Sequence, residues 1–90
     1  MGTLRRNKKA ITQVRATGVR FNDGMLYVTL SDGREIGVAL KVRWLQWLAK
    51  ATPQQQRKWT IDPWGDVIYW NELDDGIELC HLLNMQPLNA

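Results

Sequence analysis

VRFNDGMLYVTLSDGREIGVAL, residues 19–40, reads as three strands and the two turns between them. Leu26, Val28 and Leu30 alternate with Met25, Tyr27 and Thr29, the period of two of a half-buried strand. Val19 and Phe21 flank Arg20 before this run, and Ile36 and Val38 flank Gly37 after it. Asp23-Gly24 and Asp32-Gly33 separate the runs. Asp-Gly is a strong short hairpin signal, because glycine takes positive φ without a steric cost. One face thus collects Val19, Phe21, Leu26, Val28, Leu30, Ile36 and Val38. A small ribbon cannot stand alone in water, so that face requires a cover, and a helix is the expected one.

The helix follows directly. Leu40 to Ala51 (LKVRWLQWLAKA) places Trp44, Leu45 and Leu48 on one stripe, with Val42 and Ala49 at one margin and Trp47 at the other. Arg43, Gln46 and Lys50 fall opposite. The apolar arc is wider than a surface helix needs, so either the fold wraps this helix or Trp47 faces a partner. Thr52-Pro53-Gln54-Gln55 then carries the residues of a capping box with proline at the first helical position. Trp59 to Asp62 and Val67 to Trp70 read as a hairpin around Pro63-Trp64-Gly65-Asp66, with Ile68 and Trp70 on one face. Asn71 to Gly76 reads as an acidic connection. Glu78 to Asn84 reads as a short helix burying Leu79, Leu82 and Leu83, with Pro87 ending regular structure. Toward the N-terminus, Ile11 to Ala16 begins the first strand, and Gly18 marks a bulge or short turn. The expected fold is α+β: a β-meander packed against a Trp-bearing helix, a further β-hairpin and a short C-terminal helix. Residues 1–10 form a flexible basic arm and 11–90 a single domain.

The chain of 90 residues with five tryptophans commits large rings to a small body, and core filling is the ordinary use of such rings. Cys80 is the lone cysteine, which excludes an internal disulfide and fits a reducing compartment. No apolar run approaches the ~18 residues needed to span a bilayer, and Met1–Ala10 lacks the apolar segment of a secretory signal. A cytoplasmic protein with no membrane association is expected. Charge is uneven: residues 1–20 carry +6 with no acid, whereas 21–90 carry −3.

No constellation of reactive groups emerges. Cys80 and His81 are adjacent, and adjacent helical side chains diverge by about 100°, which separates a thiol from its base. One cysteine and one histidine fall short of a structural zinc's ligands. Glu72, Asp74, Asp75 and Glu78 lack the spacing of a calcium loop, and Gly24 and Gly33 belong to hairpins rather than a phosphate loop. The expectation is no enzyme, no cofactor and no metal.

Taken in order, VRFNDGMLYVTLSDGREIGV, the tryptophan helix, ATPQQQRKW and IYWNELDDGIELCHLL resemble the bacterial family named domain of unknown function 2442. The resemblance runs from about Val19 to Leu83, carried by SDGREI at 31–36, ATPQQ at 51–55 and YWNELDDGIE at 69–78. It implies a compact α+β fold and, for many members, a gene beside a small toxin-like partner, the member acting as an antitoxin or accessory binding protein. It supplies no catalytic residues. The chain departs from the family pattern at Ala39 and Asn71, where many relatives have proline, and in its longer basic arm.

These readings give three binding expectations. The first is a small protein partner docked on Arg43, Trp44 and Trp47 and on the acidic segment of Glu72, Asp74 and Asp75. Charge complementarity would suit a basic partner such as a ribonuclease-type toxin. The second is nucleic acid held by the arm through Arg5, Arg6, Lys8 and Lys9, without sequence specificity. The third is a homodimer using a sheet edge or the tryptophan helix. Trp64 either joins the partner patch or folds back as a lid.

Overall fold

A computed structural model describes residues 14–84. Ile11, the arm through Ala10 and Pro87 lie outside the described residues.

The meander forms as read: β1 (Ala16–Asn22), β2 (Met25–Leu30) and β3 (Glu35–Ala39) make an antiparallel sheet in the order β1-β2-β3. Asn22 pairs with Met25, so the first turn has two residues, Asp23 at φ 51° and Gly24 at φ 74°. Two successive positive φ values define the turn whose twist matches the flanking strands. The second loop is one residue longer. Leu30 N–H donates to Arg34 O at 2.8 Å and Gly33 sits at φ 95°. The Asp32 carboxylate accepts the Arg34 amide at 3.0 Å and fixes the loop. Near the start of β1 the register slips between Ala16 and Gly18, leaving Thr17 as the extra residue of a bulge.

The Trp-bearing segment is shorter than its pattern predicts. Leu40 N–H is still bonded to Gly24 O, which ties the first expected helical residue to the sheet. The chain then turns through a 3₁₀ segment at Arg43–Leu45 into α1 (Gln46–Ala49). The helical register is nonetheless right, since Leu45 and Leu48 are both fully enclosed. The capping box at Thr52 forms with both reciprocal bonds and opens α2 (Pro53–Gln56).

The second half corrects the predicted hairpin. β4 (Thr60–Ile61) and β5 (Val67–Trp70) pair as expected, and β6 (Asp75–Glu78) adds a third antiparallel strand on β5. The acidic connection is therefore half strand: a 3₁₀ turn at Asn71–Leu73 and Asp74 at φ 53° reverse the chain into it. The helix expected from Glu78 begins one residue later, as α3 (Leu79–Asn84). It buries Leu79 and Leu82, whereas Leu83 is exposed.

One apolar cluster joins the two sheets, with Leu26, Val28 and Ile36 from the meander, Leu45 and Leu48, then Ile68, Trp70, Ile77, Leu79 and Leu82. Each fully enclosed side chain is worth roughly 1.5–3 kcal/mol of transfer energy. Beside that sum, the solvent-exposed ion pairs Arg20–Glu35, Arg34–Asp32 and Lys58–Glu72 add little. The sheets also touch through their backbones. Ala16 N–H donates to Gly65 O at 2.9 Å. Gly65 stands at φ 73°, and a Cβ there would overlap the Arg15 side chain, so the junction needs glycine on both counts.

Candidate functional site

The five tryptophans divide by burial. Trp70 is fully enclosed, and its indole N–H donates to Gln56 O at 2.9 Å. Trp44, Trp47 and Trp59 are half-buried, while Trp64 stands 66% exposed in the β4–β5 turn and does not act as a lid. Trp47 is held from two sides: its N–H donates to Trp44 O at 2.9 Å, and its ring meets Trp70 edge-on at 5.6 Å. Trp44 carries His81 against its ring, with centroids 4.7 Å apart and planes at 87°.

β6 and α3 complete the arrangement. They bring Asp75, Ile77, Glu78 and His81 beside Trp44 and Trp47, around a groove of about 400 Å³. Its lining combines two indoles with two carboxylates. Asp75 accepts the adjacent Gly76 amide at 2.8 Å, and Glu78 lies 3.8 Å from Cys80 Sγ. Among the described residues neither carboxylate takes part in an ion pair. Such a site can hold a cation over an aromatic face with an anionic partner at the side.

Of the expected partner residues, Trp44, Trp47 and Asp75 meet at this groove. Arg43 is exposed on the 3₁₀ turn and does not line it. Glu72 is engaged by Lys58 Nζ at 2.9 Å, and Asp74 accepts the Tyr69 hydroxyl at 2.8 Å, so both are committed within the fold. That bond to Asp74 also raises the Tyr69 phenol above its ordinary value. The sequence reading omitted Glu78, Ile77 and His81 from the site. Their placement depends on β6 pairing with β5, and the alternation that marks a strand barely registers in the four residues DGIE.

Nothing described draws Cys80 and His81 together. The thiol neighbours Glu78, the imidazole packs on Trp44, and no hydrogen bond links the two among the described residues. No group of three or more His, Cys, Asp or Glu side chains gathers as a metal site among them either, and no helix there is long and apolar enough to cross a membrane. Arg5, Arg6, Lys8 and Lys9 of the expected nucleic-acid site lie outside the described residues. A larger recess of about 640 Å³ beside the first turn offers one carboxylate, Asp23, and one amine, Lys41, among otherwise uncharged lining.

The sequence profile of the family described as "Protein of unknown function (DUF2442)" matches residues 16–85. The chain belongs to the DUF2442 family. Two solved structures share the fold of this DUF2442 chain. One is the solution NMR structure of an uncharacterized protein from Chromobacterium violaceum, 25% identical with a TM-score of 0.69, covering 91% of this chain and 75% of that one. The other is the crystal structure of a protein of unknown function from Rhodospirillum rubrum, 23% identical with a TM-score of 0.66, covering 79% of this chain and 86% of that one. No curated protein matches the DUF2442 chain.

Proposed function

We propose that this protein is a non-enzymatic, antitoxin-like binding module that receives a basic side chain of a small protein partner in the Trp44–His81 groove. The observation that carries the reading is the meeting of half-buried indoles with Asp75 and Glu78, two carboxylates in no ion pair among the described residues. Tryptophan and arginine dominate interface energetics, and an arginine entering this groove would find an aromatic face and an acceptor together. A basic ribonuclease-type toxin fits that chemistry, and the acidic balance of residues 21–90 would steer its approach. In this reading the Trp-bearing helix also covers the meander, with Leu45 and Leu48 in the same cluster as Leu26 and Val28. Nucleic-acid binding through the arm stays an expectation of its charge alone.

The test is co-purification of the tagged full chain from its native host, with partners identified and their stoichiometry measured. Asp75→Lys combined with Glu78→Lys should remove a stoichiometric basic partner while shifting stability by no more than about 0.5 kcal/mol, as exposed substitutions do. Retention of that partner by the double variant would overturn the reading.

A further inference from the structure

β1 is an edge strand, paired with β2 on one side only. In a hairpin closed by a two-residue turn, the pair next to the turn exchanges hydrogen bonds, and alternate pairs after it do not. Counting from Asn22↔Met25, the pairs Phe21↔Leu26 and Val19↔Val28 are the non-bonded ones. The bond from Leu30 N–H to Arg34 O confirms this phase, because it places the even-numbered backbone groups of β2 toward β3. The amides and carbonyls of Val19 and Phe21 therefore point away from the sheet. Among the described residues none of the four has a hydrogen-bond partner. At the other end of the strand the same edge is occupied, by the bond from Ala16 to Gly65.

That open stretch has a built surround. A cleft of about 360 Å³ lies along Val19 and Phe21, with Pro53, Gln56, Arg57 and Trp59 completing its walls. The wall is fixed: Gln56 Nε2 donates to Leu48 O at 3.0 Å, and its own carbonyl receives the Trp70 indole. The lining contains no carboxylate. Its other cation, Arg20, is already bound through two nitrogens to Glu35 at 3.0 Å, whereas Arg57 is in no ion pair among the described residues. Natural edges are usually blunted by proline, a bulge or an inward charge. Here the bulge lies at Thr17, beyond the open stretch.

We infer that the Val19–Phe21 edge is a docking site for an extended peptide segment of a partner protein, added as a further strand, with an acidic side chain set against Arg57. Outward groups two residues apart match the repeat of an incoming strand, and main-chain bonds would supply affinity while Trp59 and Arg57 select side chains. Beside the edge, the cleft is lined by Pro53 and Gln56 of α2 and by Arg57 and Trp59 after it. This site is separate from the Trp44 groove and does not depend on it.

The probe is an acetylated, amidated hexapeptide, Thr-Val-Glu-Val-Thr-Val, added to the ¹⁵N-labelled full chain while amide exchange is followed. The Val19 and Phe21 amides should exchange freely in the chain alone and become protected as peptide is added. N-methylation of the peptide backbone should abolish the effect. Replacing its Glu by Lys, or Arg57→Glu in the protein, should weaken binding about threefold, as for an exposed ion pair. Absence of peptide-dependent protection at millimolar concentration would overturn the proposal. So would protection of both amides in the chain alone, whether as a monomer, meaning its own chain fills the edge, or as a dimer, meaning a second copy does. Equal affinity for the Glu and Lys peptides would overturn the acidic requirement.

Discussion

Asp62 closes the β4–β5 turn with one carboxylate. Its Oδ1 accepts the Asp66 amide at 2.6 Å and the Val67 amide at 2.9 Å. The Val67 amide chiefly, with those of Asp66 and Trp64, holds the carboxyl below its ordinary value of 3.8. Asp32 is lowered in the same way, first by the Arg34 amide, and Glu35 by its hydrogen bond from Arg20. A carboxyl lowered on folding contributes stability that is present above its unfolded value and lost as pH falls through the folded one. The urea midpoint should therefore be level from neutrality down to about pH 5 and fall progressively below it. Asp62→Asn should lower the midpoint at pH 7 and shrink its drop toward pH 3. Urea titrations of both proteins at the two pH values check this, and equal acid drops would refute the role given to Asp62.

At the level of elements, α2 rests on its cap. Thr52 Oγ1 accepts the Gln55 amide at 3.1 Å while Gln55 Oε1 accepts the Thr52 amide at 3.0 Å, for a helix of four residues with no buried side chain. Thr52→Ala should cost about 1 kcal/mol, read from the urea midpoint at pH 7, and should loosen the wall of the Val19–Phe21 cleft. This cap was legible because its chemistry is local: four adjacent residues state both bonds. The two Asp-Gly turns were legible for the same reason. β6 was not. Only Ile77 in it is buried, and Gly76 and Asp75 disfavour strands in isolation, so pairing with β5 decides its conformation. The early part of the expected Trp helix failed likewise, since Leu40 is claimed by Gly24 O across a hairpin that periodicity does not see.

Across the whole molecule, two small sheets share one apolar cluster and a backbone bond at Ala16–Gly65. Both sheets bury their apolar residues in that one cluster, so unfolding should be a single cooperative event. Backbone circular dichroism and amide exchange in β2 and β5 should give coincident transitions, and separate midpoints for the two sheets would contradict a shared core. The candidate site was half legible at this scale. Helical phase singled out Trp44 and Trp47, and charge singled out Asp75, but their meeting with Glu78 and His81 is a product of strand pairing. The open edge of β1 was beyond a sequence reading, because strand order is a tertiary property.

The edge-on contact of Trp47 with the enclosed Trp70 has an optical consequence. Two indole chromophores held 5.6 Å apart at 73° couple their electronic transitions, so the native protein should carry an exciton couplet that disappears when the rings separate. Trp64, the outward-facing fluorophore, should meanwhile surrender its emission first to a dissolved quencher such as iodide. The chain thus contains, without any added label, one signal for the integrity of its interior and another for contact at its surface.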